Sequence, residues 1–588
     1  RSVRDRQRTR GNLGEAAPTD PVLVCPPAVV ENWKDELVDC GLNLEPFSSG
    51  RLSHPDATGH HRILRAIRHA SLLAVDEAHN YHNPRSRRTM ALFSGTADRN
   101  VLFTATPVNR DAQDLLSIVE LLGADNLDDE PLRILREKLW QRGGGLQELD
   151  DSEREALRAA ILHFMVRRTK KMLNALVDRE PERYRNRLGA LCRYPKPNSR
   201  VYALNERGKD CALAAEIRAN AGKLRGVLPL RKPIVLSEVL RAQGMTEARY
   251  CRARLLGAAG LAAYLVMATL RSSRAALFEH LHGTERAIEK FALSPGFKSA
   301  STGDQIQRLV ALRGAAPPEQ PLAEFLPAWL TDPAAYVEAV EEELERYQRI
   351  AELAEQLSDG REQAKIEHLK RLLDEHELVL AFDSRPITLD YLRKSLKSCP
   401  AEVFCATGDA KAATQRRQVE RRFAPGTKGR RGLALCSDAL AEGINLQQGS
   451  AIVHLDMPSV IRVAEQRIGR IDRMDSPHAE IEIWWPGDAP EFALRTDEKI
   501  VARHEFVASL IGGNIEIPDE LAVEGDIVQP QEFIEQIAKY DDEVFEDAFA
   551  PVRRLVSGPR SLIPASTYEK LRTSKARVLA YVASVRAA

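Results

Sequence analysis

The sequence is poor in the features that define several large protein classes. Its eight cysteines are scattered, and no two have the short spacing of a zinc ribbon, which disfavours both structural zinc and a disulfide framework. No uninterrupted apolar run reaches the roughly 18 residues that cross a bilayer, and residues 1–20 are polar, unlike a signal peptide. We therefore expect a cytoplasmic protein with reduced thiols and no membrane partner.

Neither sign of charge is in excess. The chain has 84 basic and 84 acidic residues, so its formal net charge is zero, and only 6% of its residues are aromatic. This balance excludes a protein that is basic over its whole surface, but it is compatible with a local basic groove. No pattern of interleaved basic and aromatic residues predicts stacking on single-stranded nucleic acid. The length of 588 residues predicts roughly three to five domains.

Short apolar runs alternate with helical stretches in two parts of the chain, which predicts two parallel, doubly wound sheets. The runs of the first part are 21–27, 71–79 and 99–107, with helical spacing in 29–37 and 111–122. The runs of the second part are 378–392, 402–409, 432–446, 451–458 and 479–486.

The residues between these two parts have a different composition. They are rich in Ala, Leu, Arg and Glu at helical spacing, and we find no convincing strand among them. The predicted domains are therefore a first α/β lobe (1–150), a helical insert (151–365), a second α/β lobe (366–490) and a mixed, mostly helical C-terminal extension (491–588). In parallel sheets of this kind, the ligand lies at the carboxyl ends of the strands.

An acidic pair closes one of the apolar runs, in the stretch LLAVDEAH (72–79). A carboxylate there, Asp76, could hold Mg²⁺ beside nucleotide phosphates, and Glu77 could accept a proton from an attacking water. His79 could sense the γ-phosphate side. Taken alone, such a pair is more often a solvated surface pair, and that alternative stays open at this point.

Four further segments carry candidate residues. FTATP (103–107) ends the next strand with the hydroxyls of Thr104 and Thr106. QRIGRIDR (466–473) places Arg467, Arg470 and Arg473 three apart, which predicts one helix face able to reach phosphate oxygens; a solvated basic face is the alternative. SDALAEGINL (437–446) is a polar loop, and CPPAVVENW (25–33) begins a helix after a strand.

In this order, the segments VDEAH, TATP, SDALAEGINL and QRIGRIDR resemble those of superfamily II helicases and translocases, and in detail those of Swi/Snf-type ATPases. CPPAVVENWKDEL is similar to their motif Ia, and MVRRTKKML (165–173) is similar to the basic segment that follows their first lobe. The stretch from Glu442 to Pro477 looks most like the bacterial, RNA-polymerase-associated RapA-like group.

The resemblance implies two RecA-like lobes and a DNA-stimulated ATPase that uses ATP and Mg²⁺ and moves along double-stranded DNA. It implies that Asp76 and Glu77 are the metal-binding and water-activating pair, and that Thr104 and Thr106 couple nucleotide state to the DNA cleft. The other implied site residues are Gln466, Arg470 and Arg473 (the second-lobe motif, with both arginines as fingers), Gly443 (nucleotide), and Pro26, Ser437, Arg167 and Arg168 (nucleic acid).

One expected element is missing from the sequence, a phosphate-binding loop of the GxGKT kind. The nearest match, NAGKLRG (220–226), has no Ser or Thr after its lysine and lies in the predicted insert. We expect that the sequence is a fragment and that the loop lies upstream of residue 1; a degenerate ATPase is the alternative. The functional hypotheses are a DNA translocase that remodels protein–DNA complexes or serves anti-phage defence with partner subunits, a non-hydrolysing DNA-binding scaffold, and an RNA helicase.

Overall fold

The computed structural model describes most of the chain between residues 21 and 494, together with residues 517–518. The gaps within that span are 54–58, 84–85, 96, 98, 106–117, 120, 123–130, 132–149, 167–168, 186–188, 190, 237–240, 242–244, 295–299, 301–302, 408–411, 425, 428, 439–445, 459–460 and 475. Most of the predicted helix 111–122 and nearly all of the predicted C-terminal extension lie outside the described residues.

The first sheet has four parallel strands in the order β2-β1-β3-β4. Its strands are β1 (Val22–Cys25), β2 (Phe47–Ser48), β3 (Leu72–Val75) and β4 (Arg99–Leu102). Its helices are α1 (Val30–Asp39), α2 (Gly50–Ser53), α3 (His60–Arg68) and α4 (Arg87–Phe93). The apolar runs predicted β1, β3 and β4 but not the two-residue β2; β1 is buried along its whole length, β3 at alternate residues, and β4 is only partly covered.

Two helices follow the first sheet. They are α5 (Asp151–Phe164) and α6 (Lys170–Arg179). A capping box begins α5, where Asp150 accepts from the backbone N–H of Glu153 and Glu153 accepts from that of Asp150. The hydroxyl of Thr169 caps α6 by accepting from the Met172 N–H at 3.3 Å, which sets the first turn of that helix at Lys170.

The second sheet has six parallel strands in the order β5-β10-β9-β6-β8-β7. Its strands are β5 (Lys196–Ala203), β6 (Leu378–Phe382), β7 (Glu402–Ala406), β8 (Gly432–Cys436), β9 (Ala451–His454) and β10 (Glu480–Gly487). The helices that surround it are α13 (Gly360–Glu375), α14 (Pro386–Ser395), α15 (Ala412–Arg422) and α16 (Ile461–Ile468). Separate apolar clusters cover its two faces, as in a doubly wound sheet. The predicted α/β fold class with two parallel sheets and a large helical insert is confirmed.

Strand β5 corrects the expectation that residues 151–365 contain no strand. It lies at the sheet edge and pairs with β10 over eight residues. Its sequence, KPNSRVYA, does not show the apolar pattern of a strand, because an edge strand buries few side chains. Tyr202 is the one side chain in β5 that is fully buried. Since β5 precedes the insert helices and β6 follows them, the helical bundle is inserted within the second sheet.

The helical bundle lies between β5 and β6. Its helices are α7 (Gly208–Ala221), α8 (Glu247–Ser272), α9 (Arg274–His282), α10 (Thr284–Phe291), α11 (Gln305–Val310) and α12 (Pro333–Gln356). By length and composition alone α8 could cross a membrane, but half of its most apolar window is buried in the bundle, so this is weak evidence for a span. At Gly226, φ is +74° and a Cβ would lie 2.3 Å from the Ala258 carbonyl oxygen, so only glycine lets the chain pass α8 there.

Candidate functional site

Asp76 directly follows β3 and is held by the strands and helix around it. Its backbone N–H donates to the Val24 carbonyl at 2.8 Å, which keeps it in register with β1. Its carboxylate accepts from Trp33 Nε1 at 2.7 Å and from the Glu77 N–H at 2.8 Å. The Trp33 ring in turn packs 5.9 Å from Phe103, beyond β4. The carboxylate is therefore oriented from two sides before any ligand is considered.

Glu77 turns the chain out of the strand. Among the described residues, it is one of four non-glycine residues with positive φ (+50°), a backbone conformation that costs free energy and that functional sites often retain. Its Oε2 lies 3.2 Å from His79 Nδ1, and that same nitrogen lies 3.2 Å from Thr104 Oγ1. The Glu77 side chain is 36% exposed and that of His79 is 3% exposed. The structure thus brings the predicted Asp76, Glu77, His79 and Thr104 together at one sheet edge.

Two buried side chains beneath this sheet edge, those of Cys25 and Tyr81, stay protonated and uncharged. Burial, with a contribution from the charge of Asp76, raises the pKa of the Cys25 thiol to about 12. Burial likewise raises the pKa of Tyr81 to about 12, opposed by its hydrogen bond with Ser49. These two side chains therefore remain protonated near neutral pH and add no charge beside Asp76 and Glu77.

The donor set at this edge suits Mg²⁺. Carboxylate oxygens are the ligands that this ion prefers, often through water. Each Asp76 oxygen accepts one N–H and keeps a second lone pair, and the neighbouring Glu77 is accessible from solvent. Asp76 and Glu77 thus fit a hydrated Mg²⁺, with the carboxylate oriented by Trp33.

The arginine motif differs from the predicted single helix face. Helix α16 ends at Ile468, and the chain turns at Gly469 so that Ile471 enters the core. Arg467, still in the helix, points inward with its side chain 1% exposed. Its guanidinium pairs with Asp438 at 2.7 Å and with Asp456 at 3.0 Å. The expectation that all three arginines share one outward face is therefore wrong, because the helix is too short and Arg467 has buried partners.

Arg470 and Arg473 lie half-buried in the turns after α16. Arg470 Nε donates to the Gln466 carbonyl at 3.0 Å, and Arg473 Nε donates to the Gly469 carbonyl at 3.2 Å. The Gln466 side chain accepts from Arg462 at 3.2 Å. Gln466 in the last turn of α16 and the two arginines after it are thus close together, and each is oriented by the main chain or a neighbour.

Buried charges at the carboxyl edge of the second sheet were missed by the sequence reasoning. Asp383 follows β6 and accepts from Ser272 Oγ at 2.7 Å and from the Arg385 N–H at 2.8 Å. Burial, with repulsion from Asp456, raises the pKa of Asp383 to about 7. Fully buried Lys365 donates to the Ser272 carbonyl at 2.6 Å, and burial lowers its pKa. An Asp directly after an apolar run, as in LVLAFDS, was the available signal.

Asp488 follows β10 and belongs to the same edge. It pairs with Arg271 of α8 at 2.6 Å and with Arg361 of α13 at 2.8 Å. Burial alone would raise the pKa of Asp488, but these two guanidiniums hold it below its ordinary value. The end of α8 and the start of α13 are therefore tied to the second sheet by charges that solvent does not reach.

The other predicted residues are partly described. The carbonyl of Pro26 accepts from the Val29 N–H at 3.1 Å at the start of the turn before α1. Ser437 follows β8 and donates its N–H to the Ala406 carbonyl at 3.0 Å, and its buried hydroxyl has no hydrogen-bond partner in the described part of the chain. Thr106, Gly443, Arg167 and Arg168 lie outside the described residues.

Two protein-family models match the chain in the order of the two sheets. The SNF2-related domain matches residues 57–210, and the helicase conserved C-terminal domain matches residues 364–475. Over these two stretches, which together make up less than half of the chain, the sequence is similar to Snf2-related helicase domains. The first match covers Asp76, Glu77, His79 and Thr104, and the second covers the arginine turn.

Curated relatives match over shorter stretches. The DNA repair and recombination protein RAD54B of Gallus gallus is 25% identical over 190 residues, which is 27% of this chain and 20% of that protein. The RAD54B proteins of Mus musculus and Homo sapiens are 25% and 24% identical over 182 residues, 26% of this chain and 20% of each. The match thus spans about a fifth of the length of these relatives. They are animal proteins, and the bacterial RapA-like grouping stays a prediction.

Similar solved structures include a Sulfolobus solfataricus SWI2/SNF2 ATPase core in complex with double-stranded DNA, 16% identical with a TM-score of 0.26, covering 84% of this chain and 81% of that one. The C-terminal part of the Fun30 ATPase domain is 17% identical with a TM-score of 0.27, covering 59% of this chain and 98% of that one. Superpositions this loose carry no functional argument.

Proposed function

We propose that this Snf2-type chain is part of an ATP-driven motor that moves along double-stranded DNA. The observation that carries the proposal is the group at the first sheet edge, where His79 lies 3.2 Å from both Glu77 and Thr104. A hydrolytic base in contact with the next strand can pass a change at the phosphates to the loop beyond that strand. The match to DNA repair and recombination proteins supports DNA as the polymer.

Each residue has a defined part in the proposed hydrolysis. Asp76 would hold Mg²⁺, which when bound neutralises charge on the β- and γ-phosphates. Glu77 would accept a proton from the attacking water, since its partly exposed carboxylate is held 3.2 Å from His79 Nδ1. Arg470 would stabilise the charge that develops on the transferred phosphoryl group when the two lobes approach each other. DNA would be held through sequence-independent phosphate contacts.

The finer assignments rest on resemblance. We propose a bacterial, cytoplasmic, RapA-like protein that remodels protein–DNA complexes with RNA polymerase or acts with other subunits in anti-phage defence. Support for the grouping comes from the stretch that ends in QRIGRIDRMDSP (466–477). Co-purification of the full-length protein with RNA polymerase would support the first role, and loss of phage resistance in a deletion strain would support the second.

The deciding experiment is ATP hydrolysis by the full-length protein with no nucleic acid, duplex DNA, single-stranded DNA or duplex RNA. We expect duplex DNA to give the largest stimulation. Arg470→Ala should reduce turnover while duplex binding stays intact, since Arg470 would act on the phosphoryl group. Arg349→Ala is the matched control, because Arg349 pairs with Glu216 on the exposed surface of the bundle.

The other outcomes identify the alternatives. Duplex binding without turnover in any condition would indicate the non-hydrolysing scaffold, and stronger stimulation by RNA would indicate an RNA helicase. Normal turnover by Arg470→Ala would contradict the role given to the arginine turn.

A further inference from the structure

Two residues that are 302 positions apart meet beside the arginine turn. Lys170 Nζ forms an ion pair with Asp472 Oδ2. Lys170 begins α6, within the SNF2-related match, and Asp472 stands between Arg470 and Arg473, within the helicase C-terminal match. This contact therefore joins the two matched segments at the turn whose arginine, Arg470, is proposed to stabilise charge during hydrolysis.

The carboxylate of Asp472 depends on this lysine. Its side chain is 1% exposed, whereas that of Lys170 is 24% exposed. Burial raises the pKa of Asp472, and the charge of Lys170 opposes that rise. The other oxygen, Oδ1, is buried and has no hydrogen-bond partner in the part of the chain that the structure describes. Without the lysine, the protein would bury an uncompensated carboxylate, which is among the costliest of single defects.

Both partners are held by their own surroundings. The Asp472 N–H donates to the Ile468 carbonyl at 3.0 Å, so the aspartate is fixed to the end of α16. Lys170 follows the capping residue of α6 and lies 5.6 Å from the centre of the Tyr194 ring. Asn174 of α6 makes two hydrogen bonds of 3.0 Å to the Tyr194 main chain. Lys170 is thus held against Tyr194, in the segment that leads directly into β5.

Lys170 also lines a wide cleft between α6 and the start of the strand pair β5–β10. The cleft has a volume of about 1020 Å³ and is further lined by Lys171, Tyr194, Pro477 and His478, among others. A movement of α6 relative to the second sheet would change the width of this cleft and the distance between Lys170 and Asp472. The contact is therefore placed to make the arginine turn respond to the segment that follows the first lobe.

We propose that Lys170 is a positioning residue, whose ion pair with Asp472 holds the turn 469–473 so that Arg470 and Arg473 reach the nucleotide on the first lobe. The inference rests on the proposed function. Since the pair does not touch ATP, its loss should lower kcat and leave the KM for ATP nearly unchanged.

The test uses the full-length protein and four variants, Lys170→Met, Lys170→Arg, Asp472→Asn and the double variant Lys170→Met/Asp472→Asn. Duplex-stimulated kcat should fall by about tenfold or more in Lys170→Met, because small displacements of catalytic groups are costly. Lys170→Arg should retain most of the activity. The double variant should be no worse than Asp472→Asn alone, since the lysine has no charge left to meet. Lys290→Met, which removes the lysine of an exposed ion pair with Glu355 on the helical bundle, is the control and should behave as wild type.

The results separate this inference from the proposed function. Wild-type protein without turnover overturns both. Active wild-type protein with normal kcat in Lys170→Met, or with fully additive losses in the double variant, overturns the positioning role alone. Thermal unfolding of each variant identifies global unfolding, and in that case Lys170→Arg, which keeps the charge, decides: full activity supports the pair and a tenfold loss contradicts it.

Discussion

The carboxyl edges of the two sheets place aspartates at equivalent positions and surround them differently. In the first sheet, Asp76 meets two N–H donors, and its neighbour Glu77 is 36% exposed. In the second sheet, the aspartates after β6, β9 and β10 are buried and lie against cations: Asp383 near Lys365, Asp456 with Arg467, and Asp488 with Arg271 and Arg361. The first edge can therefore offer charge to a ligand, whereas the second uses its charge to bind its own helices.

This comparison shows that the position of an acidic residue at a strand end does not by itself determine its role. An acidic residue at a strand end is a candidate ligand only when its charge is still available to solvent. Arg467 and Arg470, three residues apart, show the same division among cations, since one is enclosed by carboxylates and the other lies in a half-buried turn.

Glu77→Gln should have the largest effect on turnover. The amide keeps the shape of the side chain but cannot accept a proton, so we expect ATP hydrolysis to fall by about 10²- to 10⁴-fold. Nucleotide binding should persist, which equilibrium binding of a labelled ATP analogue would check. Glu31→Gln, a change of an exposed glutamate on α1, is the control. Unchanged hydrolysis in Glu77→Gln would remove the proposed base.

Arg467→Ala should have the largest effect on stability. It would leave Asp438 and Asp456 without their buried cation, and we expect a loss of about 3–5 kcal/mol in the free energy of unfolding. Arg470→Ala should change stability by less than about 1 kcal/mol, because that side chain is half-buried and makes main-chain contacts on its own turn. Denaturant unfolding of both variants gives the comparison, and equal losses would contradict it.

His368→Phe should make the second lobe less sensitive to acid. Burial, with the charge of Arg371, lowers the pKa of His368 to about 3, below the ordinary value of 6.5. The unfolded chain then binds a proton that the folded chain refuses, so the stabilisation is complete above pH 6.5 and is lost as the pH falls toward 3. Phe can keep the stacking on Tyr202, whose ring centre lies 4.4 Å away.

The measurement for His368→Phe is the free energy of unfolding at pH 7 and at pH 4. The wild type should lose more stability between these values than the variant, by on the order of 2 kcal/mol. Parallel losses in the two proteins would show that His368 does not carry this linkage.

Trp33→Phe should have the smallest effect. It removes the hydrogen bond to Asp76 and keeps an aromatic ring near Phe103. Since Asp76 is only partly buried, we expect a loss of about 1 kcal/mol in stability. We also expect a raised KM for Mg·ATP in the full-length protein, because the carboxylate loses one of its two orienting donors. A KM equal to that of the wild type would indicate that the Glu77 N–H alone orients Asp76.

The sequence predicted the elements whose signal is local. Strands such as β1, β3, β6 and β8 are short apolar runs followed by polar residues, and the residues at their ends identify the sheet edge. The contact of His79 with Glu77 and Thr104 follows from the same topology, since the carboxyl ends of adjacent parallel strands meet.

The features that were missed depend on distant partners. The sequence of β5 has no apolar pattern, and the strand exists because β10 pairs with it. The burial of Arg467 depends on Asp438 and Asp456, and the ion pair of Lys170 depends on a residue 302 positions away. Periodicity within a short window carries no information about such partners. For this reason, the spacing in QRIGRIDR predicted a single helix face for all three arginines.

The pairing of β5 with β10 has a consequence for how the protein is made. Asn198 and Glu480 hydrogen-bond across this strand pair at 2.8 Å although 282 residues separate them. On the ribosome, β5 emerges first among the strands of its sheet, and β10 emerges last. Strand β5 therefore has no pairing partner until the whole bundle and four other strands have been synthesised. Contacts between residues so far apart in sequence also form slowly. The exposed, charged side chains of Lys196 and Arg200 on β5 would disfavour pairing with a neighbouring chain before β10 is made.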